Sequence, residues 1–315
     1  AKLNYYYPYL ELFMNNVKKV LMAAQGPEFS QLVQGYWRLE AWNMSPQERL
    51  SFLKQHVEMG ISTVDNAAIY GNSEVLFGEA LKLEPAIREQ IEIVSKFGIN
   101  GIPPAMGEKR VSHYDSSKQS ILTSVDNSLQ RLGVEQLDAL LVHRPDFLMD
   151  ADQVAEAFSE LKQSGKVKHF GVSNFTTSQF DLLQSRLQQP LITNQVEINP
   201  INFAVLEDGT ADQLQQYRVR PMAWSCLAGG GIFADQTDQA RRLRGTLIEL
   251  AEEIGANSIE QVIFAWVLKH PSNPVALIGS GKIGRVKEAV AALSLKMNTE
   301  QWYRIWVASK GFAVP

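Results

Sequence analysis

Cysteine, excess positive charge and long apolar runs are all scarce in this chain of 315 residues. The one cysteine, Cys226, excludes a disulfide framework and a cysteine-based zinc site, and is typical of a reducing compartment. Lys and Arg number 30 against 34 Asp and Glu, a net charge of −4 that disfavours binding to nucleic-acid phosphates. No apolar run approaches the ~18 residues of a membrane span. We therefore expect a cytoplasmic globular protein that binds neither nucleic acid, membrane nor metal.

The N-terminal segment differs in composition from the rest of the chain. Residues 1–24 are aromatic and apolar, but Glu11, Lys18 and Lys19 interrupt the apolar run, unlike a signal peptide. We assign residues 1–13 no function. The sequence therefore predicts an N-terminal extension over residues 1–28, which could form a hairpin, and one domain over residues 29–315.

From residue 29, short apolar runs alternate with amphipathic stretches. The runs predict eight strands buried on both faces. These are 29–35, 62–67, 91–97, 137–143, 167–173, 192–199, 220–227 and 274–280. Alternation without a linker indicates an α/β fold, either a single (β/α)8 TIM barrel or an open doubly wound sheet.

Helix-capping residues mark the ends of three predicted helices. Ser45 and Pro46 begin a helix that Gly60 closes. Asp115 is predicted to open a helix that ends at Gly133. Ser258 is followed three residues later by Gln261, which predicts a capping box.

Polar residues at the ends of the predicted strands favour the barrel over the open sheet. In a (β/α)8 barrel the carboxyl ends of all strands converge on one face, where catalysis takes place. Seven different strands end in or near a polar side chain: Asp65, Lys96, His143, Asn174, Gln195, Ser225 and Ser280. We therefore expect a single (β/α)8 TIM barrel with its site at this face.

Four of the residues near these strand ends form a plausible acid catalyst only in combination. Alone, Asp65 is as well explained by a turn, His143 is more often structural, and Tyr70 is unremarkable. Together, the Lys96 ammonium would lower the pKa of the Tyr70 phenol, ordinarily about 10, while Asp65 holds the ammonium. His143 would orient a substrate oxygen. This combination predicts proton donation to a carbonyl.

The motifs that carry these residues resemble those of the aldo-keto reductases over about residues 29–310. DNAAIYG, IVSK and LVHRPD match that family's aspartate–tyrosine, lysine and histidine motifs. More closely, QGPEFS, RPMAWSC and GSGKI are similar to its bacterial YdhF-type oxidoreductases. The resemblance implies that Asp65, Tyr70, Lys96 and His143 are the catalytic tetrad, with Tyr70 as general acid. Asn66 departs from the family, in which threonine is common at this position.

The resemblance also implies a nicotinamide cofactor. Ser173, Asn174 and Gln195 match residues that bind its carboxamide, and Trp224 matches a ring that stacks on nicotinamide, although core packing explains Trp224 equally well. Further cofactor residues are expected in the loop after the first strand (Gly35, Trp37) and after the seventh (Ser225, Leu227). The glycine-rich run 227–233 is either a clasp over a pyrophosphate or a simple loop.

The run GSGKIG at 279–284 matches neither a Rossmann fingerprint nor a phosphate-binding P-loop in its context. Backbone N–H groups at a helix start, with Lys282 and Arg285, would nevertheless hold a phosphate. In the family this loop binds the 2′-phosphate of NADPH, which implies cofactor roles for Gly279, Ser280, Gly281, Lys282, Arg285 and Glu288. Gly279 and Ala289 depart from the common lysine and asparagine, so NADPH is expected while NADH stays open.

The sequence leads to one main function and two alternatives. The main function is NADPH-dependent reduction of aldehydes or ketones, with Trp42, Phe97 and Phe147 lining the pocket for a small carbonyl substrate and the long loop 97–114 covering it. The alternatives are a non-catalytic, cofactor-sensing binding subunit on the same fold, and a phosphosugar lyase or isomerase that uses Lys96. Cys226 is either a buried spacer or an oxidisable group near the cofactor.

Overall fold

The computed structural model describes residues 17–101 and 111–315. Eight parallel strands form the core: β3 (Leu32–Gly35), β4 (Thr63–Asp65), β5 (Glu92–Phe97), β8 (Leu137–Val142), β9 (Val167–Ser173), β10 (Asn194–Glu197), β11 (Met222–Trp224) and β12 (Val275–Ile278). They close into a barrel in the order β10-β11-β12-β3-β4-β5-β8-β9. The closed parallel sheet confirms the predicted single (β/α)8 TIM barrel and excludes the open sheet.

Helices surround this barrel on its outer side. They are α1 (Pro46–Glu58), α2 (Ser73–Leu83), α3 (Lys118–Leu132), α4 (Ala151–Gln163), α5 (Thr177–Gln184), α6 (Ala204–Glu207), α7 (Thr210–Tyr217), α8 (Gly231–Ala234), α9 (Asp238–Ile254), α10 (Ile259–Leu268), α11 (Ile283–Ala292) and α12 (Thr299–Lys310). Short 3-10 helices cover Glu40–Trp42, Pro85–Gln90 and Ala228–Gly230.

Two antiparallel hairpins lie at the barrel ends. Strands β1 (Lys19–Leu21) and β2 (Glu28–Ser30) pair where the barrel strands begin, and Met22 and Phe29 pack into the barrel interior. The predicted first strand, 29–35, is therefore divided between this hairpin and β3. The division of the chain at residue 28 stays a prediction, and residues 1–13 lie outside the described part.

The second hairpin lies next to the carboxyl end of β5. It is formed by β6 (Ile99–Asn100) and β7 (His113–Tyr114). It belongs to the segment 97–114 that the sequence predicts as a covering loop. Residues 102–110 of that segment lie outside the described part.

The capping predictions hold with two corrections. Ser45 and Glu48 form a complete capping box on α1, and Gly60 follows the helix with a φ of +88°. The cap of α3 is Ser117, not Asp115, because the Asp115 carboxylate accepts the backbone N–H of Ser117 in the preceding turn.

At α10 the predicted box is incomplete. The Ser258 hydroxyl accepts the N–H of Gln261, as predicted. The Gln261 side chain, however, accepts the N–H of Asn257 rather than that of the cap residue.

Candidate active site

Asp65, Lys96 and Tyr70 meet at the carboxyl ends of β4 and β5. The Lys96 ammonium nitrogen lies 2.6 Å from Oδ2 of Asp65 and donates to the phenolic oxygen of Tyr70 at 3.1 Å. Neighbouring parallel strands place these residues together because Asp65 pairs with Val94, two residues before Lys96. The Lys96 side chain is 0 % exposed. The phenol oxygen thus accepts a hydrogen bond from Lys96, which leaves the phenol hydrogen free to be directed elsewhere.

The Asp65 carboxylate is held by a residue from the other side of the barrel. Its Oδ1 accepts the side-chain amide of Gln195 at 2.8 Å, while Lys96 also donates to the carbonyl of Asn66 at 2.8 Å. The sequence predicts Gln195 as a carboxamide ligand and gives no sign of this contact. Both carboxylate oxygens are therefore fixed by donors, as a buried charge requires.

His143 follows β8 and faces the phenol. The His143 and Tyr70 rings are 5.5 Å apart between centroids, in an edge-to-face arrangement. Burial, together with the charges of Lys96 and Arg144, lowers the pKa of His143 to about 2. The imidazole is therefore neutral at physiological pH and has one N–H to donate and one nitrogen to accept.

The pKa of Tyr70 differs in direction from the expectation for an isolated Lys–Tyr pair. Burial raises the pKa of the Tyr70 phenol, and this outweighs the lowering by the Lys96 charge, while the Asp65 charge raises it further. For Lys96, burial lowers the pKa, but Asp65 and Tyr70 together exceed it, so the net pKa of Lys96 is raised. The expectation of a lowered phenol pKa is wrong, since it ignored burial. Tyr70 stays protonated at neutral pH.

Ser173, Asn174 and Trp224 form a hydrogen-bonded chain beside His143. Asn174, at a φ of +58°, donates to the Ser173 hydroxyl at 2.9 Å and to the His143 carbonyl at 3.3 Å. The indole N–H of Trp224 donates to Oδ1 of Asn174 at 3.2 Å. The Ser173 hydroxyl donates to the carbonyl of Gln195. This chain holds the half-buried Trp224 ring at the end of β11.

The other residues expected at the nicotinamide lie at the same face. Gly35 ends β3, and Trp37 is 63 % exposed with its ring 6.4 Å from that of Tyr70. Ser225 adopts a left-handed φ of +54°, and half-buried Leu227 follows it. Their cofactor roles stay predictions.

The 279–285 loop fits a phosphate. Helix α11 begins at Ile283. Its cap residue, Lys282, makes no side-chain hydrogen bond to the first N–H groups of the helix. The Ser280 hydroxyl accepts the N–H of Lys282 at 3.2 Å. Lys282 and Arg285 are exposed, and a Cβ on Gly279 would meet nothing within 4 Å. Open N–H groups at a helix start and two cations are the donors that bind phosphate.

Two residues that sequence reasoning missed or misplaced support this loop. Gln34 is fully buried on β3, and its amide donates to the carbonyls of Gly35, Ile278 and Ser280, each at 3.1 Å. The Trp42 ring lies so close to Gly281 that a Cβ there would be 2.4 Å from it. A polar residue within the apolar run LVQG was the available signal for Gln34.

Of the three residues predicted to line the substrate pocket, Phe97 is wrong, while the roles of Trp42 and Phe147 stay predictions. Trp42 packs against Tyr36 and Phe52 beneath the 279–285 loop. Phe97 is 2 % exposed and packs against Phe158 of α4, on the outer side of the barrel, because it follows inward-facing Lys96. Phe147 is 90 % exposed, and its role stays a prediction.

The side chains of Glu288 and Cys226 make hydrogen bonds within the protein. The Glu288 carboxylate accepts from Ser258, the cap of α10, and from Gln261 within it, so it joins α11 to α10. The Cys226 thiol is buried and donates to the carbonyl of Ala223, and burial raises its pKa to about 12. Cys226 is therefore a spacer with little thiolate, rather than an oxidisable group.

The described residues, 17–101 and 111–315, contain neither a candidate membrane span nor a candidate metal cluster. No helix among them is both long and apolar enough to cross a membrane. No three His, Cys, Asp or Glu side chains among them are grouped as a metal site.

Comparisons with known proteins agree with this geometry. The model of the Aldo/keto reductase family matches residues 31–309. The chain is 56% identical to oxidoreductase YdhF of Escherichia coli K12, over 95% of this chain and all of that protein. It is 45% identical to the oxidoreductase YcsN of Bacillus subtilis, over 94% of this chain and 99% of that protein.

A solved structure agrees as well. The thermostable aldo-keto reductase Tm1743, in complex with the inhibitor epalrestat, superposes with a TM-score of 0.76. That match has 26% identity and covers 92% of this chain and 99% of that one. The protein therefore belongs to the aldo/keto reductase family and is an oxidoreductase of the carbonyl-reducing, nicotinamide-dependent type.

Proposed function

We propose that this enzyme reduces an aldehyde or ketone to the alcohol with NADPH and that Tyr70 supplies the proton. One observation carries the proposal. The Tyr70 oxygen accepts a hydrogen bond from Lys96, itself paired with Asp65, and the ring faces a neutral His143 5.5 Å away. A neutral phenol whose oxygen is already bonded to an ammonium can release its own hydrogen to a developing alkoxide.

Each residue has a separate task in this reaction. NADPH supplies a hydride to the carbonyl carbon when it is bound. Tyr70 gives its proton to the carbonyl oxygen, and the Lys96 charge stabilises the phenolate that remains. His143, kept neutral by burial and the two nearby cations, donates a hydrogen bond that orients the same oxygen. Asp65 keeps Lys96 charged.

The cofactor assignment is supported by the Trp224 ring on β11 and by the cations at the start of α11. Trp224, held by Asn174, offers a flat ring at the carboxyl end of β11. Arg285, Lys282 and the open N-terminus of α11 suit a phosphate that NADPH has and NADH lacks. This is why we place NADPH before NADH, and why we place the enzyme in the cytoplasm, where this reduced cofactor is available.

The two alternatives are less well supported. A Schiff-base lysine must lose its proton to act as a nucleophile. The pKa of Lys96 is instead raised, and its ammonium donates to Asp65, Asn66 and Tyr70. A purely binding subunit would not need the Asp65–Lys96–Tyr70 arrangement.

The test is a titration of the cofactor-free protein with NADPH and then with NADH, read by tryptophan fluorescence, followed by turnover on aldehydes and ketones. We expect saturable quenching with a lower dissociation constant for NADPH than for NADH, and a smaller quenching amplitude in Trp224→Phe. Addition of a carbonyl substrate should then oxidise NADPH. Binding without any turnover would support the binding subunit. No binding of either nucleotide would overturn the reductase function, and borohydride trapping on Lys96 would then test the lyase.

A further inference from the structure

Two exposed arginines stand at the mouth of the candidate site, each on an indole ring. Arg144 directly follows His143, and its guanidinium carbon is 5.9 Å from the centroid of the Trp224 ring. Arg38 directly follows Trp37, and its guanidinium carbon is 5.0 Å from the centroid of that ring. A guanidinium stacked on an aromatic face is held in place while its N–H groups stay available.

Neither guanidinium has an acidic partner in the part of the chain that the structure describes. Arg38 and Arg144 make no ion pair and donate no side-chain hydrogen bond there, whereas 15 other ion pairs are formed among those residues. The nearest acidic groups along the chain are already used. Glu40 accepts from Asn72, and Asp146 accepts from Ser116. The five N–H donors of each guanidinium are therefore not used by the described residues and are open to a ligand.

The position of Arg144 in the barrel excludes the 2′-phosphate of the cofactor as its ligand. Strand β8, which Arg144 follows, lies four places from β12 in the ring of eight strands, on the opposite side of the barrel. The 279–285 loop after β12 has its own cations. Arg144 is close enough to the reacting groups that its charge lowers the pKa of His143 and opposes the rise in the pKa of Tyr70.

We propose that Arg144 binds an anionic group, a carboxylate or a phosphate, on the carbonyl substrate, and that Arg38 adds positive potential at the same mouth. This inference rests on the proposed reductase function and names its substrate class: aldehydes or ketones that carry an acidic group close to the carbonyl. A fixed guanidinium binds such a group through paired hydrogen bonds, which a neutral substrate cannot use. An anion would also be attracted to the mouth despite the net charge of −4 on the protein.

The test compares matched acidic and neutral probes. One pair is 4-oxobutanoate and its methyl ester, and the other is glyceraldehyde 3-phosphate and glyceraldehyde. We expect the wild type to prefer the acidic member in kcat/KM, and Arg144→Met to lose this preference by about 10- to 100-fold, the effect of a hydrogen bond to a charged group. Which pair shows the loss identifies carboxylate or phosphate.

Three further variants separate charge from structure. Arg144→Lys keeps the charge and should retain most of the preference, and Arg38→Met should lose less of it than Arg144→Met. Lys269→Met removes a cation from the end of α10, at the opposite face of the barrel. It should leave kcat/KM unchanged for both the acidic and the neutral probe. Added salt should weaken turnover of the acidic probe and leave the neutral one unchanged.

Three outcomes would overturn the anion site. They are an equal loss of kcat/KM for acidic and neutral probes in Arg144→Met, a loss of NADPH affinity in that variant, and an absence of acidic preference in the wild type. Failure of the reductase function gives a different result, because then neither the acidic nor the neutral probe is reduced. In that case calorimetric binding of 4-oxobutanoate and of glyceraldehyde 3-phosphate decides: binding that Arg144→Met abolishes supports the anion site, and no binding rejects it.

Discussion

The ammonium of Lys96 lies 2.6 Å from the carboxylate of Asp65, and neither side chain is more than 3 % exposed. Burying two charges costs free energy that only their mutual attraction and further hydrogen bonds offset. Gln195 on Asp65 and the Asn66 carbonyl at Lys96 supply those bonds. The pair is therefore part of the fold as well as of the chemistry.

Asp65→Asn should consequently destabilise the enzyme. The substitution leaves the Lys96 charge buried without a counterion, and we expect the free energy of unfolding in urea to fall by about 3–5 kcal/mol. Adding Lys96→Met to this variant removes the uncompensated charge and should recover part of the loss. An Asp65→Asn protein as stable as wild type would show that the pair contributes nothing to the fold.

Tyr70→Phe should remove proton donation without removing cofactor binding. The change deletes one hydroxyl, so we expect kcat to fall by about 10²–10⁴-fold and the dissociation constant for NADPH to change little. Tyr217→Phe is the matched control, since it deletes a hydroxyl that donates to Asp181 away from the site. Wild-type turnover in Tyr70→Phe would reject Tyr70 as the acid.

The pH profile of reduction should be flat through the neutral range. A pKa of about 2 keeps His143 neutral above pH 5, and the raised pKa of Tyr70 keeps its proton in place until alkaline pH. Because the protonated phenol is the active form, kcat/KM should fall only as the pH rises through the pKa of Tyr70. The rate is measured from pH 5.5 to 11, beyond the ordinary phenol pKa of about 10. An inflection near pH 6.5 that disappears in His143→Gln would contradict this.

The barrel was predictable because its signals are local. Each barrel strand is a short apolar run, and the cap at Ser45 is formed by residues within one turn. The convergence of Asp65, Lys96 and His143 followed from the rule that strand ends meet on one face. The pKa of Tyr70 did not follow, because burial depends on everything packed around the ring.

The site details that were missed depend on long-range packing or on strand alternation. The contacts of Gln195 with Asp65 and of Trp42 with Gly281 join residues that are more than 100 positions apart in the sequence, so no local pattern encodes either contact. Phe97 is different. Lys96 faces the barrel interior, so its neighbour on the strand must face the helices, and alternation alone was sufficient to exclude Phe97 from the pocket.

Arg285→Ala should distinguish the two nucleotides. Arg285 is exposed in the first turn of α11, where a phosphate would add to the open N–H groups. We expect the dissociation constant for NADPH to rise by about tenfold or more, the value of a charge-assisted contact, while that for NADH stays within twofold. Fluorescence titration measures both. An equal loss of affinity for the two nucleotides would remove the assignment of this residue to the 2′-phosphate.

Gly281→Ala should weaken NADPH binding through the shape of the loop alone. A Cβ at this position would lie 2.4 Å from the Trp42 ring, so the loop or the indole must move. Since Gln34 fixes the neighbouring Ser280 carbonyl, the loop cannot shift without losing that hydrogen bond.

Gly284→Ala is the matched control for this prediction, because a Cβ there would meet nothing within 4 Å. We expect fluorescence titration to show near wild-type NADPH affinity for Gly284→Ala and a clear loss for Gly281→Ala. Replacing the indole as well, in Trp42→Leu/Gly281→Ala, should restore part of the affinity, because it removes the atoms that the new methyl group meets. Equal affinities in the two alanine variants would show that the loop does not depend on its contact with Trp42.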